Sequence, residues 1–474
     1  MIENSKWPSQ FTEGQKKALT KLEQFINDPT QHIFTLYGAA GTGKTYLLKY
    51  FLDNICKGIS VCPTAPTHKA VRVIESMTGR KAKTFHSLHG LRPNVELSNF
   101  DISNPQFDTL AEPKIKDYKL VIVDECSQIN SSLQRLNEER AKTYNVKILY
   151  TGDDLQLPPV KENISGVFLV DNKFELTDIV RQEKGNPILE IAGLLREDIK
   201  NHTNNGINYL LKNPQNINKE GLGYNIINTS TFAKKVIDEF NLAKGDPDYA
   251  RYLAWTNESI DRWNHYVRHN VMGHSSIEMI GENDILTGYN TVLDEFMDPI
   301  IVNSEDYIID FVDKRITDDG FDVYVCTLRG YATKRIFSNV LIVNHSSPLF
   351  KNFINILNKH HKAALYAPYN KRKQLWKEYF NYKNKYLLMA DLELPNTGYV
   401  KKDLYYGYGF TIHKSQGSTY NKTFVNLLNI AFYNGDKRYP INNSSHMPTA
   451  GDLKNRLLYV ALTRARENVY FLYE

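Results

Sequence analysis

The sequence predicts an α/β protein with two parallel sheets covered by helices, interrupted by one small and one larger insertion. Three observations carry this. Short, continuously apolar strands alternate with helices through the first third of the chain. The same rhythm returns weakly at 225–256 and strongly at 405–474. Residues 88–115 and 265–400 depart from it. Strands buried on both faces read as unbroken apolar runs, which is the pattern of a parallel sheet between two helical layers.

The first-third strands fall at 33–37, 59–62, 120–123 and 146–150, and a Gly-rich turn after the first leads into a helix through 46–52. Residues 88–115 are polar and hold Pro93, Pro105 and Pro113 where a short helix-to-strand loop would suffice, so they are an insertion. Period-two stretches at 307–312 and 323–328 mark a β-rich insertion, followed by a helical, basic, aromatic arm from Lys351 to Tyr386. The resulting division is 1–87 with 116–175, the insertion 88–115, then 176–264 with 396–474, and the insertion 265–395.

A chain of 474 residues exceeds what one core supports. With 42% hydrophobic and 23% charged residues it reads as folded rather than disordered, and the net charge of +5 permits a polyanion partner without requiring one. Cys56, Cys62, Cys126 and Cys326 form no C-x-x-C pair, so neither a zinc site nor a disulfide framework is expected. A reducing, cytoplasmic setting follows. No apolar run is long enough to span a bilayer, so no membrane partner is expected.

Gly38-Ala39-Ala40-Gly41-Thr42-Gly43-Lys44-Thr45 fits G-x-x-x-x-G-K-[ST] between a strand and a helix. The glycines let backbone N–H groups close around phosphates, the helix N-terminus adds partial positive charge, Lys44 reaches the β/γ-phosphates and Thr45 offers a hydroxyl to Mg²⁺. The strand at 120–123 ends in Asp124-Glu125, types suited to holding Mg²⁺ and to activating the attacking water. Gln156, in the Gly152–Val160 run after the next strand, is positioned to sense the γ-phosphate. ATP and Mg²⁺ are the expected cofactors. Thr64, Pro66, Thr67 and His68 sit where a strand feeds a helix, a place able to hold a nucleic-acid phosphate.

Gly38–Thr45, Thr64–Ala70, Thr84–Ser87, Val123–Glu125, Gly152–Val160, Phe410–Thr419 and Leu458–Arg466 occur in the order of the superfamily 1 helicase motifs. The chain resembles that superfamily's RecD-like, 5′-to-3′ branch, which includes the Dda-like helicases, from about residue 11 to the C-terminus. The resemblance implies two RecA-like motor domains, a pin insertion at 88–115 and an SH3-like insertion bearing the arm. It makes Gln15 the adenine reader, assigns Gln416 and Gly417 to the ATP site, and makes Arg181 and Arg464 the arginines that touch the γ-phosphate, Arg464 from across the cleft. His86, Thr411, His413 and Lys414 are expected to join the nucleic-acid track, and Phe100 to be the strand-separating wedge.

The activity so implied is an ATP-driven helicase moving 5′ to 3′ on single-stranded DNA and opening duplexes at single-strand/duplex junctions. It would act as a monomer, with single-strand-binding or replication proteins as candidate partners. A translocase that mainly strips bound proteins, and an ATP-gated binding switch without stepping, stay open at this stage.

Overall fold

The computed structural model describes residues 7–93, 107–109, 112–159, 162–178, 185–275, 277–294, 298–395, 398–431 and 450–473. Phe100 and Arg181 lie outside the described residues.

The first motor sheet has β1 (Ile33–Gly38), β2 (Val61–Ala65), β3 (Lys83–Thr84), β4 (Leu120–Val123), β5 (Lys147–Gly152) and β6 (Lys173–Leu176). Their order is β3-β2-β4-β5-β1-β6, every pairing parallel. All four residues of the apolar run in β4 are buried, as a central strand covered on both faces requires. Helix α1 (Glu13–Asn27) starts from a capping box between Thr12 and Gln15. Helix α2 (Lys44–Asn54) follows β1, and α3 (His68–Thr78) follows β2 from a Thr67 cap. Two apolar layers sandwich the sheet: Phe34, Leu47 and Ile122 belong to one, and Val121, Ile148 and Phe85 to the other.

The second motor sheet has β7 (Gln215–Ile217), β8 (Gly223–Ile227), β9 (Ala250–Ala254), β10 (Gly409–Thr411), β11 (Tyr420–Asn426) and β12 (Ala465–Leu472). The order is β10-β9-β11-β12-β8-β7, parallel except for the antiparallel β7 at one edge. Helices α4 (Pro187–Asn201) and α5 (Ala450–Thr463) pack against each other beside it. Asn186 caps α4 and Pro187 takes its first turn, where a missing N–H costs nothing.

The small insertion leaves and returns on Leu91–Pro93 and Phe107–Thr109, which pair antiparallel. The larger one is a six-stranded sheet in the order 386–387, 336–343, 322–330, 306–316, 285–288, 404–406, antiparallel except at the first pair. Here the sequence-based boundary at 395 needs correction. Leu404–Tyr406 pairs with Leu286–Gly288 and belongs to the insertion, so the chain regains the motor domain only at Gly409. An apolar strand reads the same whichever sheet receives it. The arm is a hairpin of two helices, Phe350–Leu365 and Tyr369–Lys385, whose Phe353, Trp376 and Tyr379 are buried with Phe321 and Val323 of the insertion sheet.

One apolar core runs without a break from Phe232, Tyr252 and Phe424 of the second motor into Tyr307 and Leu328 of the insertion. Arg251 lies fully buried at this junction. Its guanidinium donates to Asp306 at 2.9 Å and to the Pro247 carbonyl at 2.6 Å, between the rings of Phe410 and Tyr420. Removing one partner of a buried pair strands the other charge. Arg251→Met is therefore expected to lower unfolding free energy by roughly 3–5 kcal/mol, read from the denaturant midpoint.

Candidate nucleotide cleft and nucleic-acid track

The P-loop follows β1 at once. Gly38 has φ +156°, and a Cβ there would stand 2.3 Å from the Leu176 carbonyl oxygen, so the position accepts only glycine. Helix α2 opens after Gly43, in the left-handed region, with no side chain capping its first amides. Those amides are the natural seat of an anion. Lys44 Nζ donates to the Gly38 and Ala39 carbonyls at 2.7 and 2.8 Å, and burial lowers its pKa against the pull of Asp153, Asp124 and Glu125. Thr45 follows Lys44 in the first turn of α2. Gln15 is buried, donating to the Thr42 carbonyl at 3.1 Å while its side-chain oxygen accepts from the Thr12 amide. That places it against the loop and inside the capping box of α1.

Asp124 and Glu125 leave the C-terminal end of β4. Asp124 accepts from the Thr151 hydroxyl at 2.6 Å, and burial raises its pKa. Glu125 holds a left-handed backbone, φ 51°. Burial and the neighbouring Asp124 push its carboxyl up to about 7, while Arg464 and Lys44 draw it down. Gln156 is buried, and its side-chain oxygen has no hydrogen-bond partner among the described residues.

The second motor closes the other side. Arg464 is buried and held by the carbonyls of Val460 and Ser418 at 3.2 and 3.1 Å and by the Thr463 hydroxyl. Its charge reaches Glu125 across the cleft. Gln416 donates to the Leu157 carbonyl at 3.2 Å. Gly417, φ +73°, comes so close to the first motor that a Cβ would meet Ala70 Cβ at 3.3 Å.

Three residues at this cleft escaped the sequence reading of the site. Tyr459 donates to Asp153 at 2.5 Å, Arg196 donates to Asp153 at 2.8 Å, and Arg456 donates to the carbonyls of Asp154 and Gln156 at 2.9 and 2.8 Å. Tyr459 stood inside a recognised motif, but Arg196 carried no local signal.

On the expected nucleic-acid track, Pro66, Thr67 and His68 are half-buried at the start of α3, and His86 lies near enough to His68 to lower its pKa. Burial takes His68 down to about 4 and also lowers His86, so both rings are neutral at pH 7. Thr64 does not fit the expectation. It is fully buried and donates its hydroxyl to the Ile122 carbonyl at 2.8 Å, so its side chain holds β2 to β4 rather than facing a strand. Across the cleft, Thr411 and His413 are half-buried, with His413 against Trp255. Lys414 points its ammonium to the Gly288 carbonyl at 2.8 Å and over the Tyr289 ring, and burial lowers its pKa to about 7.

Residues 10–213 match the family model described as an AAA domain. The chain is 24% identical over 528 residues to uncharacterized protein R530 of Acanthamoeba polyphaga mimivirus, covering 98% of this chain and 100% of that one. It is 23% identical over 490 residues to the ATP-dependent DNA helicase dda of Enterobacteria phage T4, covering 98% and 99%. Both matches run over nearly the whole of either chain. The chain is similar to the superfamily 1 helicases of the RecD/Pif1/Dda type. A 186-residue stretch, 38% of the chain, is 35% identical to part of the ATP-dependent RecD2 DNA helicase of Deinococcus radiodurans, covering 24% of that protein.

Proposed function

We propose that this chain is an ATP-driven DNA helicase of superfamily 1 that moves 5′ to 3′ on single-stranded DNA and opens duplexes ahead of it. One observation carries the reading: Arg464 of the second motor and Lys44 of the first both act on Glu125, so a triphosphate on the P-loop would lie between charges from two domains. Hydrolysis at such a place changes how the domains hold each other, and alternating grip becomes stepping.

The cleft suits ATP: α2 starts uncapped at the P-loop, the half-buried Lys44 bonds back onto that loop, and Gln156 carries a buried oxygen without a hydrogen-bond partner among the described residues. The Thr45 hydroxyl and the Asp124 carboxylate are hard oxygen donors, the set Mg²⁺ takes, and they are the residues that would hold it. When bound, Mg²⁺ neutralises charge on the phosphate oxygens. Glu125 orients the attacking water and takes its proton, Gln156 senses the γ-phosphate, and Arg464 meets the charge that develops on the transferred phosphoryl group. Gln15 reads the base, and Gln416 and Gly417 register the closed cleft. Arg181 and Phe100 keep the roles that the family resemblance gives them, as second arginine and wedge. Pro66, Thr67, His68 and His86 on one motor, with Thr411, His413 and Lys414 on the other, form the strand's track. The neutral rings of His68 and His86 offer hydrogen bonds and ring faces rather than charge, which suits binding of any sequence.

Unwinding of duplexes with either a 5′ or a 3′ single-stranded tail tests the proposal. ATP-dependent opening of the 5′-tailed substrate alone is expected. Opening of the 3′-tailed substrate alone would reverse the polarity, and ATP turnover without opening of either would leave a translocase or a switch.

A further inference from the structure

Tyr459 uses every hydrogen-bonding position of its hydroxyl. A phenol has one O–H to donate and two lone pairs to receive. The O–H goes to Asp153 Oδ2 at 2.5 Å; the lone pairs receive Arg196 Nη1 at 3.0 Å and the backbone N–H of Ala40 at 3.4 Å. The side chain is buried, and burial pushes its pKa up, so it stays a hydroxyl across the working pH range.

Two of these partners belong to the first motor and one to the second. Ala40 lies in the P-loop, where backbone N–H groups close around phosphates. Asp153 follows β5. Arg196 stands on α4, stacks 5.6 Å from the Tyr459 ring and is tied to Asp153 by its own ion pair at 2.8 Å. The Ala40 contact is the longest of the set, beyond the usual 2.9–3.0 Å of an N–H···O bond, and joins two neutral groups. A phosphate oxygen would make a charge-assisted bond to the same amide, about twice as strong.

We propose that the Tyr459 hydroxyl competes with nucleotide phosphate for the Ala40 amide, making Tyr459 a positioning residue that passes the state of the P-loop to Arg196 on α4. This rests on the nucleotide reading of the cleft. When phosphate takes the amide, the hydroxyl keeps only Asp153 and Arg196, and one of the direct links between the P-loop and α5 is released. Binding the triphosphate therefore alters the inter-domain contact before any bond is broken. Asp153 anchors both partners, so the exchange shifts the hold of α4 and α5 together.

The test is a direct binding titration of the full chain with inorganic pyrophosphate and, separately, with adenosine. Tyr459→Phe keeps the ring and removes the hydroxyl, which frees the Ala40 amide and leaves Asp153 and Arg196 to their own ion pair. It is expected to tighten pyrophosphate binding about two- to tenfold, the worth of one net hydrogen bond, and to leave adenosine unchanged. Equal or weaker pyrophosphate binding by the variant would overturn the inference while the nucleotide site stood. So would a parallel change for both ligands accompanied by a lowered melting temperature, the mark of a structural role. A wild-type chain that bound no pyrophosphate would instead remove the nucleotide site itself, and the inference with it.

Discussion

Glu125→Gln is expected to lower ATP turnover by about 10²–10⁴-fold while ATP still binds, the usual loss when a general base is removed. The amide is isosteric with the carboxylate, so the left-handed turn at Glu125 and the fold around it survive. What disappears is a proton acceptor whose pKa burial and Asp124 have brought to about 7, near the value at which a base works best. Single-turnover hydrolysis beside equilibrium binding of ATP separates the two effects. Turnover close to wild type would show that another group takes the proton and would end the assignment of Glu125.

The parts of the site that could be read in the sequence are those whose chemistry is local. The P-loop needs its glycines, lysine and threonine within eight consecutive positions, and Asp124 and Glu125 close a run of four buried apolar residues that could only be a central strand. Gly417 was expected at the ATP site from its motif; the structure adds that a side chain there would run into Ala70. The Tyr459–Asp153–Arg196 cluster was not legible, because 306 residues separate the first pair and a tyrosine in an amphipathic helix reads as core. Thr64 went astray for a related reason. A threonine at the end of a strand can face a ligand or turn inward to bond a neighbouring strand's carbonyl, and only the register of β2 against β4 decides. The limit of the larger insertion failed in the same way, since Leu404–Tyr406 has apolar positions that suit either sheet. Lys414 was expected on the strand's track from its motif; the structure adds that its half-buried ammonium rests on the Gly288 carbonyl and the Tyr289 ring, which no local pattern announces.

Arg464→Ala should bring the largest loss, about 10³–10⁵-fold in DNA-stimulated ATP turnover, the range seen when an arginine that meets transition-state charge is removed. That range equals about 4–7 kcal/mol of barrier. The argument is geometric. Arg464 is already buried and oriented by Val460, Ser418 and Thr463, so little is lost in ordering it when charge develops opposite. Those same bonds tie it to the segments that carry Gln416 and Tyr459, so its approach to the phosphate is also the movement of the second motor. Arg464→Lys keeps the charge but cannot hold all three partners in one plane, and should recover only part of the activity. Nucleotide affinity in the absence of DNA should change far less than turnover, because the first motor alone supplies the P-loop. If turnover and affinity fell together by the same factor, Arg464 would be a ground-state contact, and the link between hydrolysis and domain movement would have to run through another residue.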